Sequence, residues 1–127
     1  MYSDALLGRF LDPLHAGDLD APDGTGKAGN ATCGDVVHFA VKIADGLISE
    51  ARFRTQGCAT AIAASDALCE LVIGSSVTAA EVLDFDDLAV ELGGVPEDRS
   101  NCATIALEAL RSALEEIRPR PLPAQAG

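Results

Sequence analysis

The chain has 127 residues, 48% of them hydrophobic, and a formal net charge of −11. That length suits one compact domain and is short for two. With no Lys/Arg cluster to offset the acidity, nucleic acid and anionic membranes are disfavoured, and the overall charge leaves a basic protein as the open partner class.

Met1-Tyr2-Ser3-Asp4 shows no basic region followed by an apolar stretch, and no apolar run can span a bilayer. A cytoplasmic location is the expectation. In a reducing compartment, the four cysteines are expected as thiols or ligands rather than disulfides.

Ser3 to Leu11 reads as a short helix ended by Asp12-Pro13. Leu14 to Thr32 reads as loop, dense in Gly, Asp and Pro, with His15 inside it. Gly26-Lys27 is not a phosphate loop, because no Gly lies five residues earlier and Ala28 replaces the needed hydroxyl. Val36 to Ala44 alternates, with Val37, Phe39, Val41 and Ile43 on one side and His38 and Lys42 on the other. Asp45-Gly46 is a two-residue hairpin turn, and Leu47 to Thr55 is the partner strand, with Ala51 and Phe53 inward.

Cys58 to Ile73 is an Ala-rich helix with Asp66 and Glu70 as a narrow polar stripe, stopped by Gly74. Short helices follow at Ser76 to Leu83 and Asp84 to Leu92, then Gly93-Gly94 and a polar connector, Pro96 to Arg99. The last helix starts near Cys102, capped by Ser100 or Asn101, with Ala106, Leu110, Ala113, Leu114 and Ile117 as its core stripe. Pro119 ends it. The expected organisation is one domain over residues 1–118 and a disordered tail over 119–127.

Three cysteines, Cys33, Cys58 and Cys102, each fall at the edge of an element, and Gly34-Asp35 follows the first. The antiparallel hairpin brings Cys33 and Cys58 together. Cys58 and Cys102 sit at helix N-termini, where the helix dipole is expected to lower a thiol's pKa. Thiolates with a carboxylate suit zinc, iron or sulfane sulfur. Neither His15 nor His38 is a strong ligand candidate, so three cysteines and Asp35 are the natural four-coordinate set. Cys69 lies roughly 16 Å along the helix from Cys58 and is assigned to the core.

Several landmarks stand together in order: Asp12-Pro13 with Gly17, Ala31-Thr32-Cys33-Gly34-Asp35, Thr55-Gln56-Gly57-Cys58-Ala59, and Asn101-Cys102-Ala103. With these the chain resembles iron–sulfur cluster assembly scaffold proteins of the IscU / NifU N-terminal-domain type, from Tyr2-Ser3 to about Ile117. The resemblance implies an α+β fold, a small antiparallel β-sheet covered by helices. It implies that Cys33, Cys58 and Cys102 hold a transient [2Fe–2S] cluster, with Asp35 keeping it labile and Cys102 accepting persulfide sulfur. Its implied partners are a cysteine desulfurase, an iron donor and apo Fe–S proteins.

Two departures stand out. The family commonly has His before the last cysteine, and here that residue is Asn101. The family's Leu-Pro-Pro-Val-Lys-like segment is Val95-Pro96-Glu97-Asp98-Arg99, which puts docking of an Hsp70-type chaperone in doubt. Asn101 also resembles a branch of zinc-bound sulfur acceptors, although the insertion usual in that branch is missing. The leading reading is therefore a scaffold rather than an enzyme. The alternative is a sulfurtransferase with Zn²⁺ on Cys33, Asp35, Cys58 and Cys102. A zinc-stabilised interaction domain is third.

Overall fold

The computed structural model describes residues 2–30 and 34–117. Helix α1 is Asp4–Leu11. Its N-cap Ser3 accepts the Leu6 N–H at 3.0 Å and donates to the Leu92 carbonyl, so one hydroxyl both starts the helix and ties it to a distant segment. Strands β1 (Gly24–Asn30), β2 (Asp35–Ala44) and β3 (Leu47–Gln56) form an antiparallel sheet in the order β1-β2-β3. Helices α2 (Ala59–Val72) and α5 (Ser100–Ile117) cover one face of it. Helices α3 (Val77–Glu81) and α4 (Phe85–Glu91) bridge them, and a 3₁₀ turn at Glu97–Arg99 leads into α5. This is the expected α+β architecture.

The hairpin follows from local chemistry. Asp45 and Gly46 take φ of 54° and 79°, the twist that a two-residue turn needs between right-twisted strands. Val37, Phe39 and Val41 point into the core at 0–2% exposure. On β3 the buried residues are Ile48, Ala51 and Phe53, a spacing that breaks strict alternation. The register shifts between Lys42 and Ile43, and this bulge puts Ile48, Ala51 and Phe53 on one face.

Two expectations are corrected. The 14–32 stretch is not all loop, because Gly24–Asn30 is a full edge strand. Its glycines hide it from propensity: a Cβ on Gly24 would collide with the Ala113 carbonyl, and one on Gly26 would come 2.9 Å from Ala113 Cα. Glycine lets β1 lie directly against the α5 backbone. Nor is His15 in a free loop. Its carbonyl accepts the Phe53 N–H (3.1 Å), its own N–H donates to Asp66 (2.9 Å), and Gly17 N–H reaches Phe53 O at 2.8 Å.

The polar stripe on α2 has a reason that the sequence did not reveal. Asp66 is 1% exposed, and Arg9 of α1 reaches it at 2.9 Å, Glu70 at 3.1 Å and Glu91 at 2.8 Å. One guanidinium thus ties α1 to α2 and α4. Cys69 is fully buried, in keeping with its core assignment. The 119–127 tail and Cys33 lie outside the described residues.

Candidate functional site

Asp35 opens β2, and the register pairs Val36 with Gln56. The mouth of the hairpin therefore sets Asp35 beside Gly57 and Cys58. Asp35 is 3% exposed, not the surface turn residue its sequence context would ordinarily suggest. Gly57 makes this possible, since a Cβ there would overlap the Asp35 carboxylate, with Cγ only 2.7 Å away. In the sequence Gly57 stands out only as part of the Thr55-Gln56-Gly57-Cys58-Ala59 run. The signal was the Gln-Gly-Cys run itself, whose glycine is needed for close approach.

Cys58 is the N-cap of α2, yet its side chain makes no capping bond. The sulfur is free to face the site instead. Cys102 is the third residue of α5, inside its first turn. Helix α5 starts earlier than expected, and Ser100 is not a side-chain cap: its hydroxyl donates to the Glu97 carbonyl at 3.0 Å. Asn101, next to Cys102, is exposed.

Cys58 Sγ lies 3.1 Å from Cys102 Sγ and 3.9 Å from Asp35 Oδ2. One ligand atom from each of the three residues falls within 4.8 Å of the others. The two sulfurs are free thiols. Of the four expected ligands, the structure brings these three together. Among the described residues, neither His15 nor His38 joins a cluster of this kind.

The electrostatics correct one expectation. Burial, then hydrogen bonding to Cys58 and Asp35, hold the Cys102 thiol above the ordinary thiol range. Desolvation and a neighbouring carboxylate outweigh the helix N-terminus here. Arg99 is the nearby cation. Tyr2, Cys58, Asp98 and Cys102 all raise its pKa, so it lies within electrostatic reach of both sulfurs.

The donor set fits a soft metal. Sulfurs bound to tetrahedral zinc at about 2.3 Å stand about 3.8 Å apart. The present pair would need to part by about 0.7 Å, which small side-chain rotations supply. A carboxylate and two thiols also leave room for another ligand, so the site accommodates exchange.

A three-stranded sheet backed by helices, with thiols and a carboxylate gathered at one end, defines a small domain built to present soft ligands. The chain matches the NifU-like N terminal domain family over residues 1–123 and belongs to it. It is 37% identical over 114 residues to the iron-sulfur cluster assembly scaffold protein IscU 1 of Archaeoglobus fulgidus, covering 90% of this chain and 74% of that protein. It is 40% identical over 121 residues to the bifunctional protein NifU/MnmA of Rubrobacter xylanophilus. There it spans 94% of its own length but only 25% of the relative's. Among solved structures, the N-terminal part of a nitrogen-fixing NifU-like protein from Brucella abortus shares the fold, with a TM-score of 0.71 at 20% identity over 91% of this chain and 92% of that one. No helix among the described residues is long and apolar enough to cross a membrane.

Proposed function

We propose that this chain is a scaffold on which iron and sulfur are assembled into a labile [2Fe–2S] cluster, which then leaves for an apoprotein. The observation that carries the reading is the convergence of Asp35, Cys58 and Cys102 within 4.8 Å in a member of a family that includes named IscU scaffolds. Cys33, two residues before Asp35 in sequence, is the proposed third sulfur ligand. The cluster is cargo, and the residues are suited to hold and release it. Thiolates bind iron strongly, while one oxygen donor weakens the grip.

Sulfur arrives in this reading as a persulfide on a cysteine desulfurase. The Cys102 thiolate attacks the outer sulfur, a new S–S bond forms on Cys102, and the donor cysteine leaves as its thiolate. Cys102 must first lose its proton, which its burial and the Asp35 carboxylate oppose. The Arg99 cation favours the anionic form. An iron donor supplies the metal, and apo Fe–S proteins receive the product.

The test is anaerobic reconstitution with ferrous iron, a desulfurase, cysteine and excess dithiol reductant, which supplies the electrons that take persulfide sulfur to sulfide. The expected product is brown and contains iron and sulfide in equal amounts. A colourless protein with one zinc that raises desulfurase turnover would overturn the scaffold reading in favour of a sulfurtransferase. Zinc without that response would leave an interaction domain.

A further inference from the structure

Among the described residues, positive charge gathers on the sheet face opposite α2 and α5. Four of the chain's nine Lys and Arg residues stand there: Lys27, Lys42, Arg52 and Arg54. The register lines up Lys27, His38 and Arg54 across all three strands, with Arg52 in the next row. Asp18 holds Arg54 through two bonds of 2.6 and 2.7 Å, and Lys42 stands opposite Glu50. Lys27, His38 and Arg52 have no ion pair among the described residues.

This face is also grooved. A hollow of about 640 Å³ opens beside the hairpin mouth and wraps the β3 edge, between Pro13 and Ala16, the outer residues Val36 and His38, and Ile62 of α2. It continues into a second hollow of about 460 Å³ that holds Lys27, Arg52 and Arg54, with Asp18, the partner of Arg54, as its one carboxylate among the described residues. Gly17, His38 and Arg54 line both. The apolar end adjoins the thiol site, since Val36 follows Asp35 and Ile62 is one turn beyond Cys58. The cationic end points away from it.

We propose that this groove docks an extended segment of an acidic partner protein, with an apolar side chain near the thiol site and carboxylates over Lys27, His38 and Arg52. A chain of net charge −11 repels acidic proteins at long range. A local cationic face then selects for shape and register rather than charge alone, because only a segment lying in the groove escapes the repulsion. Nucleic acid is the weaker occupant: the same net charge opposes a long polyanion, and the two aromatic residues that line the groove, Phe39 and Phe53, are buried rather than free to stack on bases. That the segment belongs to a protein exchanging cargo with the thiol site rests on the scaffold reading. The binding itself does not.

The experiment uses the full apo chain, without iron or sulfide, and a fluorescein-labelled peptide of Leu-Phe followed by alternating Glu and Ser. Anisotropy is expected to show saturable binding at low salt that weakens about tenfold when salt rises through the range where Debye screening shortens to about 8 Å. Backbone amide shifts should cluster at Val36, His38, Arg52 and Arg54. The K27E/R52E double variant should bind at least about tenfold more weakly with unchanged circular dichroism, while R111E, on α5, should bind as the parent does. Replacing Leu-Phe of the peptide by Ser-Ser should also weaken binding. Equal binding by K27E/R52E, or shifts confined elsewhere, would overturn the proposal. So would tighter binding of a single-stranded oligonucleotide of equal charge. A concentration-dependent dimer of the parent chain that K27E/R52E abolishes would show that the occupant is a second copy and would overturn it too. Because no cluster is present, failure of peptide binding and failure of cluster assembly are read separately.

Discussion

Gly57→Ala tests whether the site's geometry depends on backbone at the hairpin mouth. An ideal Cβ on Gly57 falls 2.7 Å from Asp35 Cγ and 3.2 Å from Asp35 Cβ. Comfortable carbon contact begins near about 3.5 Å, so the carboxylate must retreat by about 0.8 Å. Asp35 is 3% exposed and has little free space to retreat into. Overpacking of this kind costs about 1–3 kcal/mol, and it drives Asp35 off its position 3.9 Å from Cys58 Sγ. Anaerobic competition against a chromophoric chelator should show zinc binding about 10- to 100-fold weaker, the range for disturbing a ligand's support. Urea unfolding reads the stability loss. Gly46→Ala is the control: its φ of 79° strains any L-residue, but nothing lies within 4 Å of a Cβ there. It should lose about 1 kcal/mol of stability and keep its zinc affinity. If Gly57→Ala binds zinc as the parent does, Asp35 is not a ligand, or its position does not matter.

Asp35→Ala should lengthen the lifetime of the assembled cluster and slow its transfer to an acceptor, a kinetic readout separate from the equilibrium zinc affinity that Gly57→Ala tests; unchanged or faster transfer would refute the lability argument. Cys69→Ser should load iron and sulfide normally, and loss of loading in a folded variant would overturn its core role. Burial, then Asp66, hold the Cys69 thiol above the ordinary range, so its contribution to stability is full below about pH 8.5 and drains as pH rises. The parent's Tm should therefore fall more steeply on the alkaline side than that of Cys69→Ala, and parallel profiles would refute it. Arg9→Ala strands the buried Asp66 carboxylate and should cost about 3 kcal/mol in urea unfolding, with part recovered by adding Asp66→Asn; no recovery would place the loss elsewhere. Under desulfurase and cysteine, mass spectrometry should find the added sulfur on Cys102 in Cys58→Ser, and none in Cys102→Ser.

Much of the fold was legible because local and tertiary preferences agree along the hairpin and the long helices. Asp45-Gly46 fixed the turn, and the alternation of Val37, Phe39 and Val41 fixed the inward face. What stayed hidden was set by partners distant in sequence. Gly24 and Gly26 are poor strand formers on their own, and only α5 lying on β1 explains them. Asp66 looked like half of a solvent-facing stripe because Arg9, its partner, is 57 residues away. The bulge at Lys42/Ile43 left no local mark, so the inward position of Ile48 was not foreseen.

The site was legible as a set of residues and less so as an environment. Antiparallel pairing forces the two ends of a hairpin together, so Asp35 and Cys58 had to meet. Helix N-termini implied activated thiols at Cys58 and Cys102. That argument counts the favourable dipole and omits desolvation, which depends on packing that the sequence does not display. For Cys102, burial and the adjacent carboxylate win, and its proton is held tightly. A soft cation entering between Cys58 and Cys102 would displace that proton and neutralise the Asp35 carboxylate at once. The same burial that quiets the empty site therefore sets a proton against the incoming metal. Affinity should grow with pH as proton competition fades, and release should be helped by acid.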